Sequence, residues 1–218
     1  MNHFRPFTSL AGLAGVIGIS QACAGIFVDT SPGTAAPPAT LGGYSMIGFP
    51  ADPSAEGTLT TSLIPPVSAP VTGNLVFSSA LEHDIVGSMW DMWSHGYTGD
   101  VYYLPGDYDL LMTLPTGTMA FYLYVQPNIK ATFEFTVDSS AAVTTFDVDG
   151  NGGAKYVGFY SDDPSKPLHF VFVDQTTSET DFAVGEFGIN NVPEPGAFGL
   201  LAGLGLLGLG AYRKINSI

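Results

Sequence analysis

The sequence predicts an all-β chain of the β-sandwich or jelly-roll kind, and three observations carry that expectation. The stretch ATFEFTVD alternates strictly, with Phe133, Phe135 and Val137 on one face and Thr132, Glu134, Thr136 and Asp138 on the other, the period of a half-buried strand. Short β-rich runs recur at roughly 10-residue intervals between turn residues. Finally, no stretch between the two ends of the chain has the 3.6-residue apolar period of an amphipathic helix.

From the N-terminus, Met1 to Phe7 carries Arg5, and Leu10 to Ile19 is a ten-residue apolar core. Ala22 and Ala24 supply the small residues that precede a signal-peptidase cut before Gly25, so residues 1–24 read as a signal peptide. An acylated Cys23 would call for a leucine that Ser20-Gln21-Ala22 lacks. Residues 25–70 are rich in Pro, Gly, Ser and Thr, with SPGTAAPPAT and SLIPPVSAP as extremes. LGGYSMIGF and GTLTTSLI are the expected strands there, between loops that proline holds extended.

Residues 71–191 form the expected β core. DVYYLP, YDLLMTL, TMAFYLYVQP, ATFEFTVD, VTTFDV, KYVGFY, LHFVFVD and FAVGEFGI are its strands, with LPGD, LPTGT and DGNGG as turns. TMAFYLYVQP is apolar on both faces, which marks a central strand.

Residues 192–218 differ in kind. Val192-Pro193-Glu194-Pro195 leads into Gly196–Tyr212, 17 uncharged residues that include six glycines and six leucines. As a helix this would span roughly 26 Å at about 1.5 Å per residue, the short end of what crosses a hydrocarbon core of about 30 Å. Arg213 and Lys214 follow as a basic stop and hold that end on the cytoplasmic side. Pro193 and Pro195 fix φ and disfavour helix at the residues before them, leaving an extended segment at the membrane boundary.

A secretion signal, an ectodomain, a Pro-Glu-Pro turn, a glycine-rich apolar span and an Arg-Lys stop resemble the PEP-CTERM sorting-signal proteins of Gram-negative bacteria. The resemblance implies recognition by an exosortase, a membrane-embedded processing enzyme, with cleavage near Pro193-Glu194-Pro195. It implies a membrane anchor through the C-terminal helix before processing, then a cell-surface or extracellular location. It also implies an association with exopolysaccharide and biofilm. WSHGYTGDVYY, MAFYLYVQP, DGNGGAKYVGFY and FAVGEFGI are similar to ectodomain segments of other PEP-CTERM proteins, a likeness that implies one compact β domain and transfers no catalytic role.

Charge narrows the partners. Residues 25–191 carry 19 acidic side chains against Lys130, Lys155 and Lys166, a net −16. That field disfavours nucleic acid and anionic membrane, and it repels acidic polysaccharides unless a divalent cation bridges them. Cys23 is the one cysteine in the sequence, so the domain after Gly25 has neither disulfide nor thiol chemistry.

Three constellations could carry chemistry. Asp147, Asp149 and Asn151, followed by Gly152, match the opening half of a calcium loop, D-x-D-x-N-G, but Gly158 stands where the closing acid belongs. The same residues suit a hairpin turn in which glycine supplies positive φ. The stretch EHDIVGSMWDMWSHGYTGD gathers Trp90, Trp93 and Tyr97 with Glu82, His83, Asp84, Asp91, His95 and Asp100. Aromatic faces beside hydrogen-bonding acids suit a sugar, and the same tryptophans suit a core. Paired carboxylates for glycoside hydrolysis need a defined separation that linear sequence does not give. With no G-x-S-x-G elbow, HExxH or phosphate loop, the expectation is an exported, non-enzymatic surface or matrix protein. A carbohydrate-binding module and, further off, a glycoside-active enzyme are the alternatives.

Overall fold

Strand β8 (Ala120–Pro127) is buried at all eight positions, and the rest of the molecule is arranged around it. Phe121, Leu123 and Val125 face one apolar cluster while Ala120, Tyr122 and Tyr124 face another. The chain is described by a computed structural model over residues 25–138, 142–177 and 181–190. The expected signal peptide (1–24) and the tail (192–218) fall outside these residues, with Ala22, Ala24, Val192, Pro193, Glu194, Pro195, Arg213 and Lys214.

The described residues form thirteen strands, all paired antiparallel. The remaining strands are β1 (Ile26–Asp29), β2 (Thr40–Leu41), β3 (Tyr44–Gly48), β4 (Leu59–Leu63), β5 (Leu75–Ile85), β6 (Asp100–Leu104) and β7 (Asp109–Thr113). After β8 come β9 (Lys130–Val137), β10 (Ala142–Asp149), β11 (Lys155–Ser161), β12 (Phe170–Gln175) and β13 (Phe182–Asn190). The order across the sheet is β1-β11-β8-β13-β6-β5-β7-β12-β9-β10, with β4 on the other edge of β5, β3 on β13, and β2 outside β3.

The all-β expectation holds, with a difference in architecture. In place of two facing sheets, one continuous sheet curls until its outer strands β1 and β10 approach each other. Two strands make the curl. One edge of β5 pairs with β7 at Val76 and Phe77 and then with β6 from Glu82 to Ile85. One edge of β13 likewise pairs with β6 from Phe182 to Gly185 and with β3 from Gly188 to Asn190. A bulge at Glu186-Phe187 in β13 and an irregularity at Thr60/Ser62 opposite β5 relieve the bending, as bulges do wherever a sheet turns a corner.

The inside of the curl holds the main core, in which Phe133, Phe135 and Val137 of β9 are wholly buried while Thr132, Glu134 and Thr136 remain part-exposed. Burying each such phenylalanine contributes roughly 1.5–3 kcal/mol. The smaller cluster lies on the outer face of β8, β13, β11 and β6, where Ala120, Ala183 and Gly188 leave room for Tyr122, Tyr124 and Tyr156. The β5–β6 connection, residues 86–99, folds over this face and seals it with Trp90 and Trp93.

The DGNGG segment is not the hairpin that its glycines suggest. It joins β10, which pairs with β9, to β11, which pairs with β8 and β1. It therefore crosses between the two flanks of the curl through a single 3₁₀ turn, Gly150–Gly152. Gly150 is needed there because a Cβ would overlap the Pro127 carbonyl oxygen, and only Gly153 takes a positive φ, 91°.

Candidate binding cleft and its histidine clasps

The 86–99 connection starts with Ser88 and Trp90 N–H groups donating to the Ile85 carbonyl, and Gly87 at φ 86° lets the chain reverse. Trp90 is 9% exposed and its indole N–H donates to Gln126 Oε1 at 3.2 Å. Gln126 passes the bond on, from Nε2 to the Gly150 carbonyl at 2.6 Å. Trp93 is 6% exposed and donates from Nε1 to Glu186 Oε2 at 3.2 Å. The Tyr97 hydroxyl donates to the Asp100 carbonyl at 3.1 Å, and the Trp93 and Tyr97 ring centres lie 6.4 Å apart. Of the three rings offered above for a sugar platform, Trp90 and Trp93 are thus packed inside and Tyr97 is half-buried beside Trp93.

One histidine clamps this layer of rings, and a second makes a clasp on the opposite face of β5. His95 Nε2 meets Glu186 Oε1 at 2.8 Å, and its Nδ1 lies 3.4 Å from the Thr34 carbonyl. Burial raises the Glu186 carboxyl, while His95 and the Trp93 N–H oppose that rise. Burial, followed by the charge of this carboxylate, pushes the Tyr122 hydroxyl up to about 12 and raises those of Tyr97 and Tyr124 further.

The second clasp centres on His83, which is fully buried, while Ser54, Asp52 and Asp100 around it are part-exposed. His83 Nε2 meets Asp100 Oδ1 at 2.8 Å, its Nδ1 meets Ser54 Oγ at 3.2 Å, and its ring stacks on Tyr102. Asp52 closes the network: its N–H donates to Asp100 Oδ2, while its carboxylate accepts from the Ser54 N–H and the Tyr102 hydroxyl. Burial alone would raise Asp52, but the Ser54 N–H and hydroxyl, the His83 ring and the Tyr102 hydroxyl together hold it below the ordinary carboxylate range. Ser54, His83 and Asp100 have the connectivity of a nucleophilic triad. However, the serine sits on Nδ1 and beside the Asp52 carboxylate, which opposes the oxyanion that acyl transfer builds at such a serine. The arrangement ties residues 52–54 to β5 and β6.

On the outer side of the same layer lies a cleft of about 430 Å³. Glu82, Asp84 and Tyr103 form one wall, Met89 to Met92 the rim, and Gln126, Asn128 and Asn151 the far side. Asp84 is 5% exposed, and its Oδ1 has no hydrogen-bond partner. Burial, followed by the charges of Glu82 and Glu56, raises its carboxyl. The Tyr103 hydroxyl donates to Asp181 Oδ2 at 2.6 Å, a bond that with burial pushes it up to about 12.

The acids of the DGNGG segment face other partners. Asp147 accepts from the Thr132 hydroxyl at 2.7 Å and pairs with Lys130 at 3.4 Å. Asp149 Oδ1 accepts from the Asn151 N–H at 3.1 Å and so caps the 3₁₀ turn. Among the described residues no group of three or more His, Cys, Asp or Glu side chains is placed to hold a metal ion.

Of the residues singled out in the sequence, the structure brings Trp93, His95 and Tyr97 to one spot, and Glu82, Asp84, Trp90 and Asp91 to another. His83 and Asp100 meet in a third place. Glu186, Gln126, Ser54 and Asp52 escaped sequence reading. Glu186 sits in a strand whose pattern gives no sign of the bulge that turns it toward Trp93, and Ser54 and Asp52 lie in the proline-rich segment, whose pairing partners are remote.

Among solved structures, a family 29 carbohydrate-binding module from Piromyces equi aligns with 54% of this chain and 88% of its own, at 13% identity and a TM-score of 0.30. No curated protein sequence matches the chain. Among the described residues no helix is long and apolar enough to cross a membrane. The family model for the PEP-CTERM protein-sorting motif matches residues 191–214, the segment that holds Val192-Pro193-Glu194-Pro195, the glycine-rich apolar run and Arg213-Lys214. The chain therefore carries a PEP-CTERM sorting signal behind an all-β domain, which implies export, membrane anchoring before processing, and an exosortase as processing partner.

Proposed function

We propose that this chain is a non-enzymatic component of the surface or extracellular matrix of a Gram-negative bacterium, associated with exopolysaccharide and biofilm. The sorting motif at residues 191–214 is the observation that carries the reading. Processing near Pro193-Glu194-Pro195 releases the all-β domain from its anchor on the outer side of the membrane. A net −16 over residues 25–191 suits a soluble matrix component that stays clear of anionic membrane. The negative charge that Asp52 places beside Ser54 supports a role without covalent catalysis. The test is cell fractionation of the native host with mass spectrometry of both termini of the mature protein. A chain starting at Gly25, ending near Glu194 and found in the matrix fraction is expected. A chain that keeps residues 196–218 and stays in the membrane overturns the reading.

A second reading, a carbohydrate-binding domain, is favoured by one observation: a roomy polar cleft whose wall includes a buried carboxylate oxygen without a partner. Its sugar contacts would lie in that cleft rather than on Trp93, which is packed inside, or on the half-buried Tyr97 beside it.

A further inference from the structure

We propose that the cleft between Asp84, Trp90 and Asn128 binds a glycosyl unit that presents hydrogen-bond donors, hydroxyl or ammonium, to Asp84. The inference rests on the carbohydrate-binding reading and names its site and the chemistry of its ligand.

The first argument is the orphaned oxygen. A buried polar atom without a partner costs on the order of 1–3 kcal/mol, more when charged, and calls for an explanation. Asp84 Oδ1 is such an atom, on a residue that lines a cleft open to solvent. Oδ1 itself is closed to solvent, so a donor brought by a ligand meets the carboxylate from the cleft side and offsets its charge there.

Neighbouring groups decide what kind of ligand. Gln126 uses its carbonyl on Trp90 and its amide on Gly150, and the Tyr103 hydroxyl is spent on Asp181. What the wall still offers at Asp84 is an acceptor, and Glu82 and Asp91 add negative charge around it. A donor-rich, neutral or cationic guest fits this wall, whereas a uronic acid or a phosphate is repelled.

Size argues against a bare ion. About 430 Å³ lies within the range of small-molecule sites, while a water's share of liquid volume is about 30 Å³, and no metal-holding cluster occurs among the described residues. Met89 and Met92, both exposed on the rim, and the edge of the Trp90–Tyr103 pair, with centres 6.1 Å apart, supply apolar surface for the C–H face of a sugar ring.

The test uses the full chain in a detergent without a sugar headgroup, titrated calorimetrically with three probes: a glucosamine hexamer, cellohexaose and an oligogalacturonate of equal length. The glucosamine or the cellulose oligomer, or both, should bind, and the galacturonate should not; the stronger of the first two tells whether ammonium or hydroxyl is the donor. Asp84→Asn keeps the shape and should weaken that binding at least tenfold. A polycation held merely by overall negative charge would be indifferent to one substitution among 19 acids. Thermal melting of the variant verifies that it remains folded, and Glu82→Gln, which changes the same wall, should weaken binding less. The proposal is overturned if no probe binds, if the galacturonate binds equally well, or if Asp84→Asn binds like the parent. Sugar binding indifferent to Asp84 would retain the carbohydrate reading while removing this cleft, and none of these outcomes touches export or sorting, which fractionation reads separately.

Discussion

His95 Nε2 and Glu186 Oε1 lie 2.8 Å apart, and both residues hold the left-handed backbone conformation, at φ 41° and 49°. Neither is a glycine, and such a conformation costs an L-residue roughly 1–2 kcal/mol. Strain of this kind persists only where surrounding contacts over-determine it. Here the contacts are the His95–Glu186 hydrogen bond itself and the Trp93 N–H on the second Glu186 oxygen. The bulge in β13 and the loop above it each adopt an unfavourable backbone so that one carboxylate can hold two side chains of the 86–99 connection.

Replacing Glu186 separates strain from bonding. Glu186→Ala loses both hydrogen bonds and keeps the strained φ, and should cost about 2–3 kcal/mol. Glu186→Gly loses the same bonds but takes this φ freely, and should be milder by about 1 kcal/mol. Urea denaturation measures the two. A glycine variant no more stable than the alanine variant would show that the backbone at 186 is unstrained.

The His83 clasp predicts an acid dependence. Asp52 is held below its ordinary value of 3.8, so the fold prefers its charged form. That contribution is complete above the ordinary carboxylate range and is lost as pH falls through the depressed value. Asp52→Asn should therefore be less stable than the parent at pH 7, by about 1 kcal/mol, with the gap closing in acid. Melting temperatures of both proteins from pH 7 down to pH 3 check this, and a gap that stays constant with pH would refute it.

Gly150 discriminates two accounts of the DGNGG segment. As a calcium loop, its integrity would depend on metal; as a crossover packed on Pro127, it depends on the absence of a Cβ. Gly150→Ala should destabilise by more than about 2 kcal/mol, since the clash is with backbone that has little room to shift. A chelator should leave the parent's melting temperature unchanged, because Asp147 and Asp149 are already engaged by Lys130, Thr132 and Asn151. A melting point that falls with chelator and returns with calcium would establish the calcium loop instead.

What the sequence made legible was whatever depends on local period. Phe133, Phe135 and Val137 declare β9, and the unbroken apolar run of β8 declares a strand covered on both faces. The longest strand, β5, escaped notice because Ser78, Ser79, Glu82 and Asp84 break its apolar pattern at the bend, where one edge changes partner. The continuity of the sheet around its corners, and the crossing made by DGNGG, depend on pairings remote in sequence that no local signal encodes. The same holds for the site. The richness of residues 82–100 in aromatic and acidic groups was visible, but which face each would take was not. Trp93 turns inward because Glu186, 93 residues away, accepts its N–H. Asp84 lies in the cleft wall because His83, its neighbour, takes the opposite face of the strand, where Ser54 and Asp100 meet it.

Asp84 should also betray itself through stability alone. Its carboxyl is raised, so the fold favours the protonated form. That preference contributes in full below the ordinary carboxylate pKa and is lost as pH rises through the raised value, leaving a buried charge at pH 7 that works against folding. Removing the charge without changing shape is therefore expected to stabilise: Asp84→Asn should gain about 1 kcal/mol, roughly 2–4 °C in a domain of this size. The gain should shrink as pH falls and the parent's own carboxyl protonates. A residue that weakens its own fold is retained where function needs it, so the same substitution that raises the melting point should abolish the extra stabilisation that a bound sugar gives the parent. Differential scanning calorimetry at pH 7 and pH 4, with and without the oligosaccharide that binds best, reads both effects at once. If Asp84→Asn melts below the parent at pH 7, the carboxylate is satisfied in the folded protein, and its place in the cleft has a purely structural cause.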